Sequence, residues 1–160
     1  MKILIVSDSH GRTNYLEKVM NKIGPIDLLI HLGDIEGNED YIEAISDCDV
    51  IMISGNNDYF ASLEREKLIE VGKYKIFLTH GHMYQVNFGT KMIKAKGREL
   101  GAQIVMFGHT HHPLIDTVGD VIAINPGSIS LPRQEGHIPT YVIMETDRFG
   151  EAHFSLNYVK

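Results

Sequence analysis

The stretch KILIVSDSHG, residues 2–11, decides how the rest of the chain is read. Its first part, KILIVS (2–7), is almost continuously apolar and rich in β-branched side chains. That pattern marks a strand covered on both faces, the kind found in parallel sheets flanked by helices. The strand then runs directly into Asp8-Ser9-His10-Gly11, residue types that bind ions rather than build cores.

The segments that follow repeat this theme. From Asn14 to Ile23, Leu16, Val19, Met20 and Ile23 fall at helical spacing, and Gly24-Pro25 stops the segment. DLLIHL (27–32) and DVIMIS (49–54) read as further strands, with Tyr41, Ile42 and Ile45 marking a short helix between them. The order β-α-β-α-β implies a parallel sheet with crossover helices. Beyond it, KLIEV (67–71) and YKIFLT (74–79) flank Gly72-Lys73 as a hairpin. A helix is expected over Thr90–Leu100, ended by Gly101, then a strand in AQIVMF (102–107). LIDTV, VIAIN, ISLP, TYVIME and HFSLNYV read as short strands, giving a second half expected to be mostly antiparallel. One α/β domain over residues 1–160, with two sheets, accommodates both textures.

Composition narrows the function. The net charge is −6, and the 15 Lys and Arg are scattered, which argues against extended wrapping of nucleic acid. It leaves room for a small phosphorylated substrate. A single cysteine, Cys48, cannot form an internal disulfide. The N-terminal apolar run stops at Val6, too short for a signal-peptide core or a membrane span. The expectation is a soluble, cytoplasmic protein.

Five expected strands end in clusters of ligand-type residues: Asp8-Ser9-His10, Gly33-Asp34, Gly55-Asn56-Asn57-Asp58, His80-Gly81-His82 and Gly108-His109-Thr110-His111. The crevice beyond the carboxyl ends of strands is where α/β sheets bind ligands. Each fragment alone is ordinary turn chemistry; their succession at strand ends points to one converging site. Asp8 and His10, two apart, would share a face if the chain stayed extended, and His109 and His111 repeat that spacing. Carboxylates, imidazoles and the Asn56 amide, with no sulfur, suit Mn, Fe, Zn, Co or Ni. Two such ions ~3.5–4 Å apart form a clamp for in-line displacement at phosphorus.

These motifs, in this order, resemble the calcineurin-like metallophosphoesterase superfamily, whose pattern is Asp-x-His, Gly-Asp, Gly-Asn-His-(Asp/Glu), His and Gly-His-x-His. The resemblance spans nearly the whole chain. The small size, the Thr79-His80-Gly81-His82 segment and Asn125-Pro126-Gly127-Ser128 are similar to the compact bacterial and archaeal phosphodiesterases of that superfamily. The resemblance implies an αββα sandwich of two mixed sheets flanked by helices, with the site at the strand ends. It also implies that Asp8, His10 and His111 hold one metal, that Asp34 bridges, and that Asn56, His80 and His109 hold a second. Manganese heads the expected ions, with Ni, Co, Fe or Zn as substitutes. The implied reaction is hydrolysis of a small phosphodiester by direct attack of a hydroxide shared between the ions.

One position departs from the pattern. Asn57 stands where many members have a histidine, and an amide cannot serve as a general acid. His82 is the candidate replacement, so Asn56, Asn57 and His82 form the expected catalytic group beside the metal ligands. Asp58 is expected to support a ligand, His31 to be core or to support one, and Ser128 to be structural. Arg133 is read as solvated, His112 as neighbouring surface, and His137 and His153 as uninvolved. Competing functions are a phosphomonoesterase and a metal-binding interaction scaffold similar to the retromer subunit of related fold. Exposed antiparallel edges in the second half allow a homodimer.

Overall fold

The computed structural model describes residues 1–160. In its first half, β1 (Lys2–Val6), β2 (Leu28–His31) and β3 (Asp49–Met52) are joined by α1 (Asn14–Ile23) and α2 (Glu39–Ile45). Both strand pairings are parallel, with Ile3 beside Leu28 and Leu28 beside Asp49. Ile3, Leu4, Ile5 and Val6 are wholly buried, so β1 is covered on both faces as its sequence requires.

The second half contains β4 (Glu66–Val71), β5 (Tyr74–Thr79), α3 (Lys91–Glu99), β6 (Ile104–Met106), β7 (Pro113–Asp116), β8 (Ile122–Pro126), β9 (Thr140–Thr146) and β10 (Ala152–Tyr158). The ten strands form two five-stranded mixed sheets, ordered β10-β9-β1-β2-β3 and β4-β5-β6-β8-β7. Alternate residues of both sheets, among them Ile3, Ile5, Ile30, Ile76, Leu78, Ile104 and Ile124, meet in one inner core. The opposite face of the first sheet packs Leu4, Val6 and Leu29 against Leu16 and Val19 of α1 and Ile42 of α2. That of the second packs Phe77 and Val105 against Ile93 of α3. The result is an αββα sandwich, each fully buried aliphatic side chain contributing about 1.5–3 kcal/mol relative to exposure. No helix is long and apolar enough to cross a membrane.

The second half is mostly antiparallel, as expected, but β5, β6 and β8 run parallel to one another, with α3 carrying the chain across between β5 and β6. The last two strands join the first sheet, where β9 pairs antiparallel with β1 and β10 with β9. ISLP is not a strand but an irregular turn, because the hydroxyls of Ser128 and Ser130 fold back onto the carbonyls of Asp8 and Ser9. The hairpin at Gly72-Lys73 and the helices are as expected.

Candidate metal centre

The segments after β1, β2, β3, β5 and β6 are tied together at one rim of the sandwich. Asp8 N–H donates to Gly33 O, His10 N–H to Asp34 O, and Gly108 N–H to His80 O. The rim straddles both sheets: Asp8, His10, Asp34 and Asn56 follow strands of the first, His80, His109 and His111 follow strands of the second.

The backbone does not reach this arrangement as an extended chain. Asp8, His10, Asp34, His109 and His111 have φ of 56, 46, 54, 67 and 58°, all left-handed. Positive φ outside glycine is uncommon and clusters at functional sites. The expected shared face of an extended Asp8-x-His10 is therefore corrected: successive left-handed turns aim both side chains. Buried hydrogen bonds hold the turns, with Ser128 and Ser130 hydroxyls donating to Asp8 O at 2.7 and 3.0 Å. Gly55 and Gly108 permit the close approach. A Cβ on Gly55 would collide with Asp34 Oδ1, and one on Gly108 with Ser7 Oγ and Asp8 Oδ2.

Two groups of ligand atoms lie close enough for cations: Asp8, His10 and His111, and Asp8, Asp34 and His80. In the first, His111 Nε2 is 3.2 Å from Asp8 Oδ1 and 3.1 Å from His10 Nε2. In the second, His80 Nε2 is 3.5 Å from Asp34 Oδ2 and 3.8 Å from Asp8 Oδ1. Asp34 Oδ2 also lies 3.8 Å from His10 Nε2, so this carboxylate faces histidines of both groups. Next to His80, His109 Nδ1 stands 2.9 Å from Asn56 Oδ1, a pair suited to a shared cation or a hydrogen bond. All seven sequence-predicted ligands are thus brought together.

The outer ends of the histidines fix their tautomers. His111 Nδ1 donates to Leu131 O at 2.6 Å, His80 Nδ1 to Leu32 O at 2.7 Å, and His10 Nδ1 to the Glu36 carboxylate at 2.7 Å. Carbonyls and carboxylates only accept, so the Nε2 atoms are the ones turned inward. Asp8 Oδ1 and His80 Nε2 are buried without a hydrogen-bond partner. Nitrogens turned inward on two buried carboxylates, with their outer nitrogens already spent, fit a divalent cation.

Without an ion, a proton on His80 Nε2 takes the cation's place. Burial alone would raise the Asp34 carboxyl, but the His80 hydrogen bond and charge, with the Asn57 N–H, hold it at about 2. Burial would lower His80, yet the Asp34 hydrogen bond and the charges of Asp8 and Asp34 carry it above the ordinary imidazole value. Buried Asp8 is likewise held low against desolvation, chiefly by His111 and His80. A pocket that raises a buried imidazole has surplus negative potential. Burial and His80 lower both His109 and His82.

The remaining candidates take distinct places. Asn57 spends its backbone N–H and its side-chain amide on Asp34, at 2.9 and 3.0 Å. His82 follows His80, their ring centroids 5.6 Å apart, and its Nδ1 is buried without a partner. Asp58 accepts from the backbone N–H groups of Ile35, Glu36 and Gly55, fixing the loop that carries Asp34 against the one that carries Asn56. His31 is fully buried against Ser9 Oγ at 3.0 Å, and burial pushes its pKa down to about 4. His112 is exposed, as are Arg133, His137 and His153. Sequence reasoning missed Glu36, Ser130 and the Asn125 amide, which donates to Gly108 O. Glu36 lies two residues past Asp34, and Asn125 lay within a quoted motif; nothing in the sequence marked Ser130.

Residues 1–148 match the calcineurin-like phosphoesterase superfamily domain. A probable metallophosphoesterase of Bacillus subtilis, YsnB, is 34% identical over 136 residues, covering 83% of this chain and 78% of its own. The Escherichia coli phosphodiesterase YfcE is 27% identical, covering 92% of this chain and 89% of its own. Among solved structures, Vps29 from Entamoeba histolytica in complex with zinc superposes with a TM-score of 0.79 over the full length of both chains, at 22% identity.

Proposed function

The chain belongs to the calcineurin-like phosphoesterase superfamily, and from that premise we propose a phosphodiesterase that uses two divalent ions to hydrolyse a small phosphodiester. The observation that carries this reading is the inward convergence of His10, His80 and His111 Nε2 on Asp8 and Asp34, with the opposite ring nitrogens spent on outward acceptors. The phosphodiesterase named among the relatives supports the diester class.

In this reading Asp8, His10 and His111 hold one ion and Asn56, His80 and His109 the other. Asp34, which faces histidines of both groups, would serve both ions. When bound, such ions supply Lewis acidity at phosphoryl oxygens and bring the pKa of a water toward neutrality. The chain supplies orientation. Glu36, Leu131 O and Leu32 O keep the three histidines in the ligating tautomer. Asn57 is a positioning residue that clamps both oxygens of Asp34. His82, whose ring lies beside those of His80 and His109 and lines a cavity with Asn56, contacts the substrate. The all-oxygen-and-nitrogen ligand set favours manganese, with Ni, Co, Fe or Zn able to substitute.

The test is hydrolysis of bis-p-nitrophenyl phosphate and p-nitrophenyl phosphate by metal-stripped protein, before and after adding Mn, Ni, Co, Zn or Mg. Metal-restored cleavage of the diester, lost in His10→Ala, is the expected result. Preference for the monoester would overturn the diester assignment. Stoichiometric metal binding with no cleavage would make the protein a binding module.

A further inference from the structure

Tyr59, 80% exposed, lines two cavities beside the loop that carries Asn56 and Asn57. One, of about 420 Å³, reaches Asn57 and carries the carboxylates of Glu36 and Glu39. The other, of about 230 Å³, reaches Asn56 and carries Arg65 and His82. Asp58 borders both, but its oxygens are engaged by three backbone N–H groups. The cleft is therefore polarised, acidic on one side of Tyr59 and basic on the other.

Arg65 is exposed, takes part in no ion pair, and lines the same cavity as His82, whereas Arg98 is spent on Asp120 and Lys94 on Asp116. A guanidinium presents a planar set of donors that matches phosphate oxygens. The neighbouring Tyr59 face suits a flat ring, as does Phe60, which is fully exposed at 102%. Asp58 pins the loop that displays both rings, so they are held at the rim of the centre.

We propose that Arg65 and His82, beside Tyr59, form a subsite for a second phosphate on one arm of the diester, so that the substrate is a nucleotide-type diester bearing a further phosphomonoester. This rests on the phosphodiesterase reading above and names its substrate class. The phosphorylated arm lies on the Arg65 side, since Glu36 and Glu39 repel it from the other cavity. The ring of that arm stacks on Tyr59.

The experiment compares thymidine 5′-(p-nitrophenyl phosphate) with its 3′-phosphorylated counterpart on the manganese-loaded protein. The two share leaving group and reacting phosphorus. The expected kcat/KM favours the 3′-phosphorylated ester by about tenfold, the scale of one hydrogen bond to a charged group, and through KM. Arg65→Gln brings the ratio near one, while Arg148→Gln, which removes equal charge from a residue stacked on Phe149, keeps it. Equal kcat/KM on both esters in the unaltered protein, or an equal loss on both in Arg65→Gln, overturns the subsite. If neither ester is cleaved, the phosphodiesterase reading fails and calorimetry decides the subsite separately. Thymidine 3′,5′-bisphosphate binding about tenfold more tightly than thymidine 5′-phosphate, with the difference lost in Arg65→Gln, upholds it; equal affinity overturns it.

Discussion

His10 and His111, 101 residues apart in sequence, bring their Nε2 atoms to 3.1 Å of each other with the opposite ring nitrogens donating outward. Facing acceptors at that distance repel unless a cation lies between them. Metal binding should therefore stabilise the fold. At a hundred times Kd the gain is about 2.7 kcal/mol, which raises Tm by about 5–10 °C in a chain of this size. Thermal scans of chelated and manganese-loaded protein measure it; His111→Ala should abolish most of the rise, and an unchanged Tm would contradict a cation at this position.

Asn57 holds both oxygens of Asp34. Asn57→Ala should weaken metal binding by about 10–100-fold, the usual cost of losing a partner that orients a ligand. Excess metal should then restore part of the activity. Titration with manganese, read by calorimetry and by diester turnover, checks this; an activity loss at unchanged affinity would place Asn57 on the substrate instead.

His82→Ala should lower diester turnover and leave bound metal near its original stoichiometry, because the histidine lies beyond the ligand set. Metal analysis of the purified variant alongside its kcat separates the roles. Loss of metal would make His82 a ligand.

Gly108→Ala should cost about 1–3 kcal/mol and most of the activity, since the added methyl meets Ser7 Oγ and Asp8 Oδ2. Denaturant unfolding and the diester assay report the two losses together. A fully active, equally stable variant would mean that the rim yields more easily than its hydrogen bonds suggest.

Away from the site, Lys94 donates to Asp116 Oδ2 at 2.8 Å and to Val118 O, tying α3 to β7 and the turn beyond it. The Lys94 hydrogen bond, then that of Thr90, holds the Asp116 carboxyl at about 2 instead of 3.8. A depressed carboxylate adds stability that is whole above its unfolded pKa and disappears as pH falls through the folded one. Lys94→Met should thus lower Tm at pH 7, with the gap to the unaltered protein closing between pH 3.8 and about 2. A pH series of melting curves measures it, and a constant gap would remove Asp116 as the cause.

The strands and the residues that meet at the rim were legible in the sequence because each is written locally: an apolar run, then a polar cluster bounded by glycine. What local pattern does not carry is the conformation between the ligands and the partners behind them. The i, i+2 spacing of Asp8 and His10 suggested an extended face, whereas a hydroxyl 122 residues away, on Ser130, helps hold a left-handed turn. The same hydroxyls made ISLP a turn despite its apolar start. The mostly antiparallel course of the second half was legible, whereas the parallel trio β5, β6 and β8 inside it was not, because short strands look alike in either direction. Asn57 could be flagged as a departure, but its engagement with Asp34 depends on two loops meeting in space.

Because four of the seven ligand candidates follow strands of one sheet and three follow the other, an ion here would act as a rivet through the seam of the sandwich. Amides at the rim, such as those of His10, Asn57 and His109, would then exchange with solvent more slowly when metal is bound. Those at the middle of β1 and β5 would keep their protection either way, since the inner apolar core closes that part of the seam unaided. Metal occupancy would set how far one edge of the protein breathes, independently of how firmly its interior holds.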